Sequence, residues 1–218
     1  MHDIQLSVTL EPLMTGAQTY LIRSEKQLAA LTAATRQEVV DVLERLGTVS
    51  VRELAAALGR PADALYFHLR ALTRAGLVRR VGYRSRPGGK EALYRTVAPE
   101  LKLQYEPGKA SNRKVVSAIV SSMLRLAIRD FRGAFRRGAV VVSGASRELW
   151  ALRKAGRLSQ AGLREINRRI KGLAQAISAP GKQGRLYAIT VVLTPLDHRN
   201  KIGGVIKRKT RAQRGNTR

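Results

Sequence analysis

Gly59 and Pro61 constrain the fold of this chain more than any other feature. They stand between two short helical patterns in Ser50–Thr96, SVRELAAALGRPADALYFHLRALTRAGLVRRVGYRSRPGGKEALYRT. Ser50 with Glu53 three residues later makes a capping box, and Val49 and Leu54 hold the two positions of a hydrophobic staple. Leu54, Ala55 and Leu58 share one face. Gly59 is placed for the left-handed conformation that ends a helix. Pro61 suits the first turn of the next helix, where its missing N–H costs nothing. Two short helices joined in this way form a helix-turn-helix.

The second helix is expected over about Pro61–Ala75. Leu65, Leu69 and Leu72 make a core stripe at i, i+4 and i+7. Gly76 is placed to follow the last turn, with Leu77 folding back on Leu72. The face opposite the stripe carries Asp63, Phe67, Arg70 and Arg74, flanked by Tyr66 and His68. Rings and guanidiniums together are unusual on a plain surface helix. They suit a helix in the major groove, where Arg reads guanine edges or phosphates and rings meet thymine methyls. Arg60, at the threshold of this helix, joins the candidate contacts. Beyond it, Leu77–Val81 and Ala92–Val97 alternate like strands of a hairpin, joined by a long loop GYRSRPGGKE. That loop holds Arg84, Arg86 and Lys90, placed to reach the phosphate backbone or the minor groove.

These residues resemble a known family. ELAAALGRPADALYFHLRALTRAGLVRR, with the Tyr-containing strand EALYRT, looks like the ArsR-type winged-helix transcriptional regulators over roughly Leu28–Val97. The most specific part is HLRALTRAGLV, which turns into the wing. The resemblance implies that the positions matching Ala62, Asp63, Tyr66 and Phe67 face DNA. Metal sensors of that family need a Cys pair or His/Asp clusters. This chain has no Cys and three well-separated His, His2, His68 and His198, so metal sensing is disfavoured and the DNA-binding part of the resemblance survives.

The net charge of +26 calls for a polyanionic partner, because such self-repulsion is destabilising unless screened. Residues 1–112 carry 16 Lys and Arg against 11 Asp and Glu, a net +5, whereas residues 113–218 carry 25 against 4, a net +21. The reading head is therefore only mildly basic. Zero cysteines removes disulfides and thiolate sites. No P-loop, G-x-G-x-x-G after a strand, or catalytic set occurs, so neither an enzyme nor a cofactor is expected. MHDIQLSVTLEP lacks the regions of a signal peptide, and no apolar run approaches a membrane span. A cytoplasmic, nucleoid-bound protein without a membrane partner is the expectation.

The chain divides, on this reading, into an extended segment (1–24), a winged helix-turn-helix (25–98), a linker (99–110), a dimerisation or sensing region (111–196) and a basic tail (197–218). Ile4–Leu10 alternates like a half-buried strand, and Tyr20–Ile22 is a second extended piece that could pair with it or with a partner subunit. Glu25–Leu46 is helical in two pieces around Leu31–Ala34, with Val39, Val42, Leu43 and Leu46 buried and Glu38, Asp41 and Glu44 making a poor DNA face. Pro99–Gly108 reads as a linker. Ser111 or Asn112 would cap a helix to about Arg136, whose apolar stripe is broader than one packing face needs. Its surplus fits either burial within one subunit or, preferred here, a two-fold dimer. Ala139–Val142 and Glu148–Leu152 read as short strands or extended segments, and Leu186–Thr194 (LYAITVVLT) as the strongest strand, with Trp150 most simply a core anchor, or else a ligand-stacking ring. Between them a helix is capped by Ser159 and runs to Ser178, and its Leu163, Ile166, Ile170, Leu173 and Ile177 step by 3, 4, 3 and 4. Arg199–Arg218 has eight Lys and Arg and no acid, either a solvated tail or an arm that tracks phosphates.

The expected whole is an α+β protein. A winged helix-turn-helix precedes a helical or α+β dimerisation region. The function it points to is a dimeric, sequence-specific binder of double-stranded DNA, a repressor not gated by metal, with a small-molecule effector left open. The competing reading is a non-specific nucleoid or RNA-binding protein that uses the +21 half. A winged helix serving only protein–protein contacts fits less well with Arg and aromatic residues on the exposed helix face.

Overall fold

The computed structural model describes residues 19–178 and 185–196; the alternating Ile4–Leu10 segment and the basic tail lie outside them. Strand β1 (Thr19–Ile22) leads into α1 (Glu25–Ala30) and α2 (Ala34–Leu46). Then come β2 (Val49–Ser50), α3 (Val51–Leu58), α4 (Ala62–Arg74), β3 (Val78–Arg86) and β4 (Gly89–Thr96). β5 (Glu100–Leu103), α5 (Ala110–Arg137) and α6 (Gln160–Ser178) complete the described elements. This is a mixed helix-and-sheet fold, a winged helix-turn-helix followed by a helical C-terminal part.

Local chemistry sets the helix ends. Ser50 Oγ accepts from the Glu53 N–H at 3.2 Å while Glu53 Oε2 accepts from the Ser50 N–H at 2.8 Å, so both bonds of the capping box form. Gly59 ends α3 at φ 60°, ψ 37°. Pro61 is extended at ψ 138° and stands as the N-cap of α4 rather than inside its first turn. At the far end the Gly76 N–H donates to Thr73 O and the Leu77 N–H to Leu72 O, both at 3.0 Å, with Gly76 at φ 74°. That is the complete Schellman arrangement, and it aims the chain straight into the wing.

One core joins these pieces. Leu65, Leu69 and Leu72 of α4 pack with Val39 and Leu43 of α2, Leu54 of α3, Leu77 and Val78, all within one cluster of buried side chains. Each fully buried Leu contributes about 1.5–3 kcal/mol relative to exposure. Leu46 departs from its expected burial and is half exposed at the end of α2.

Three differences from the sequence reading reshape the head. First, the wing is a long hairpin. β3 and β4 pair antiparallel from Val78↔Thr96 to Arg86↔Gly89, leaving only Pro87 and Gly88 at the tip. The expected long loop is therefore strand, with a bulge at Arg80–Gly82. Second, the expected linker is structural: β5 pairs in parallel with β1, from Thr19↔Glu100 to Ile22↔Leu103. The partner of Tyr20–Ile22 is thus a strand eighty residues on, invisible to local pattern. Third, α5 begins inside the head. Ile119 belongs to the head's core, and Gln37 Nε2 donates to both Leu31 O and Ile119 O, at 2.6 and 3.1 Å. Lys109 is its N-cap and uses no side-chain bond. Asn112 is buried instead, accepting from the Glu106 N–H and donating to Gln104 O.

Glu44 pins β5 to α2. Its carboxylate is half-buried and accepts the Leu101 N–H at 2.6 Å. Burial, with Asp41 and Glu100 nearby, outweighs that bond and raises its pKa from 4.5 to about 7. A carboxyl raised in this way adds stability that is complete below pH 4.5 and lost as pH climbs through 7. Glu44→Gln keeps the acceptor and has no charge to bury. We expect equal stabilities near pH 4.5 and a Gln variant more stable by about 1–2 kcal/mol at pH 8.5, measured by urea unfolding. A gap independent of pH would refute the assignment.

The C-terminal part departs further. Among the described residues 139–159 and 185–196 contain no strand, so the expected α+β unit is helical alone. Strand propensity needs a ladder partner, and none meets LYAITVVLT here. Leu186, Ile189 and Val192 stand open to solvent. Trp150 is 63% exposed, with the Arg147 guanidinium 4.0 Å above its ring, and is not a core anchor. The apolar residues of α6 find no full cover either: α6 has no buried residue.

Candidate nucleic-acid interface

α4 buries one face and offers the other. The leucine stripe fixes its rotation, so Asp63, Tyr66, Phe67, Arg70 and Arg74 all point outward. Phe67 is 58% exposed and Tyr66 45%, a large apolar surface to leave in water without a partner. Among the described residues Arg70 and Arg74 make no hydrogen bond or ion pair, so both guanidiniums are available to an external acceptor. The five donors of a guanidinium match base edges and phosphates.

Other candidates are held differently from the sequence reading. Ala62 is half-buried and packs against the core cluster, so its methyl is only partly open to an outside partner. It lies one turn before Tyr66 in α4, on the same side of the helix. His68 is half-buried, edge-on to Phe67 at 5.5 Å, with no partner for Nδ1. Burial first, then Arg36 and Arg60, hold its pKa below the usual histidine value and favour the neutral ring. A packing residue behind Phe67 describes it better than a cationic contact. Arg60 is turned inward: its Nε and Nη2 both bond Glu38 Oε2, at 3.1 and 2.8 Å.

The wing is similarly tied. Arg84 bridges Glu53 of α3 at 2.8 Å and Glu91 at 3.3 Å, and Arg86 reaches Glu91 at 3.4 Å. The carboxylate that caps α3 thus also anchors the hairpin. The Ser50 N–H, then Arg84, hold its pKa below the ordinary glutamate range. Lys90 remains exposed and unpaired among the described residues. The sequence reading passed over Arg79 and Arg80, which lie exposed at the wing's base, with Arg80 stacked 5.1 Å from the Tyr83 ring centroid. The pairing of Glu38 with Arg60 and of Glu53 with Arg84 leaves no local signal, because each arginine lies 22 or more positions from its carboxylate.

The arrangement is an outward aromatic and cationic helix face with a basic hairpin beside it. Among the described residues no group of three or more His, Asp or Glu is placed to hold a metal ion, and no helix is long and apolar enough to cross a membrane.

One comparison bears on this class. A family model described as a helix-turn-helix domain matches residues 31–81, from the α1–α2 joint through α2, α3 and α4 into β3. No curated protein matches the chain. Among solved structures, one titled "Structure of Disulfide formed AbfR" is similar at 14% identity, covering 47% of this chain and 69% of that chain, with a TM-score of 0.29. So loose a superposition carries no argument about this molecule.

Proposed function

We propose that the protein is a sequence-specific, double-stranded DNA-binding transcriptional regulator of the ArsR-like winged-helix type, acting as a homodimeric repressor that no metal gates. The observation that carries this reading is the outer face of α4, where Tyr66, Phe67, Arg70 and Arg74 are exposed together and the two arginines have no partner among the described residues. A winged helix used only as a scaffold has no need of such a face. Two heads would place their α4 helices in successive major grooves, about 34 Å apart. Tyr66 and Arg70 read base edges. Arg74, Lys90, Arg84 and Arg86 position the backbone, the last two after exchanging acidic partners for phosphates. The +21 carried by residues 113–218 supplies most of the non-specific attraction.

In vitro selection of bound duplexes, at two salt concentrations, tests this directly. A recovered palindrome supports it. The absence of any enriched motif supports the alternative, a non-specific nucleoid or RNA binder, which the charge of the C-terminal half favours. On a selected site, Arg70→Ala is expected to weaken binding about 10–100-fold and relax preference at one base position. Arg74→Ala should weaken all duplexes alike and reduce the salt slope by about one. Equal losses on every sequence for both variants would refute this division of labour.

A further inference from the structure

Glu38 lies where three parts of the protein meet. It projects from α2, its side chain only 15% exposed, and two guanidiniums share it. Arg60, in the α3–α4 turn, gives two bonds to Oε2. Arg129, in the second half of α5, bonds Oε1 through Nη2 at 2.5 Å and Oε2 through Nη1 at 3.3 Å. Arg129 also contacts Asp130 Oδ1 at 2.7 Å. Arg60 directly precedes the N-cap of α4, where a basic side chain freed from its carboxylate would stand beside the backbone of a docked duplex.

We propose that Glu38 and Arg129 are positioning residues for Arg60: Glu38 withholds Arg60 from DNA phosphate, and Arg129 releases it by neutralising Glu38. The inference rests on the DNA-binding reading above. Phosphate and Glu38 compete for one guanidinium. When Arg60 swings to phosphate, Glu38 keeps a counter-charge only because Arg129 is there. Without Arg129 a poorly solvated carboxylate would be left bare, so the cost of moving Arg60 rises. Arg129 belongs to the stretch of α5 that carries the exposed apolar row Leu124, Ile128, Phe131 and Phe135. Any displacement of that stretch therefore changes DNA affinity through one carboxylate, without touching α4.

A double-mutant cycle tests the relay in the full-length protein, read by duplex affinity, by salt slope and by the Arg60 Nε–H signal in proton–nitrogen spectra. Arg129→Gln is expected to weaken binding about tenfold, the scale of one charge-assisted hydrogen bond, and to lower the salt slope by about one. Arg129→Lys should recover part of this. In the Glu38→Gln background, Arg129→Gln should change neither quantity. If Arg129→Gln weakens binding equally in both backgrounds, Arg129 meets phosphate itself and the relay is wrong. In the free protein, Arg129→Gln should slow exchange of the Arg60 Nε–H. An unaltered signal with DNA binding intact overturns the relay alone. The expected signal change with no duplex bound by any variant overturns the DNA-binding reading, and with it the relay's target. Thermal unfolding of each variant separates these outcomes from loss of fold.

Discussion

Aspartate at both Ile128 and Phe135 is expected to leave the protein monomeric and to weaken its binding to a two-half-site duplex by about 10²–10⁴-fold. Two linked heads gain that factor by binding as one unit. Leu124, Ile128, Phe131 and Phe135 recur along α5 at steps of 4, 3 and 4, and all are exposed. Ile128 is 51% and Phe135 64% open to solvent, and the rings of Phe131 and Phe135 stack with centroids 6.2 Å apart. This is one apolar row over three turns, on a helix whose other row, Val116, Ile119 and Leu126, is already buried. The proposed dimer covers it. The substitutions lie beyond Ile119, the last α5 residue in the head's core, so the head should stay folded. Sedimentation or light scattering reads the oligomeric state, and a single half-site duplex checks that each head still binds. A variant that remains dimeric would remove α5 from the interface.

Leu69→Ala is expected to destabilise the protein by about 2–5 kcal/mol, because the site is fully enclosed and cannot collapse onto the smaller side chain. Leu69 stands between His68 and Arg70 on α4, so the same helix supplies an internal comparison. Arg70→Ala is exposed, makes no bond among the described residues, and should shift stability by less than about 0.5 kcal/mol while damaging DNA binding. Urea unfolding measures both. Similar stability losses for the two would mean that α4 is not oriented as its leucine stripe implies.

Those two residues show why the head was legible from sequence. Its helix limits rest on contacts three to five residues apart, as in the Ser50–Glu53 box and the Leu72–Leu77 return, and its faces follow from helical periodicity. The wing was legible in kind but not in length, because Arg84 and Arg86 read as loop residues until a partner strand was in register. The candidate site was legible on α4 alone. Whether a given arginine is free or spoken for depends on carboxylates 22 or 91 positions away, as with Arg60 and Arg129 on Glu38. Strand propensity misled beyond Gly138, since LYAITVVLT has the composition of a strand and no neighbour to pair with among the described residues.

The amino-acid sequence alone determined the helix-turn-helix, the buried and outward faces of α4 and the division of charge between the two halves, because each depends on local spacing or on counting. Only the tertiary structure decided that β5 closes on β1, that α5 starts inside the head, and that Arg60, Arg84 and Arg86 are paired while Arg70 and Arg74 have no partner among the described residues. Those outcomes depend on which distant groups share space once the core has formed, and the free energy of each pair depends on burial that no local pattern records.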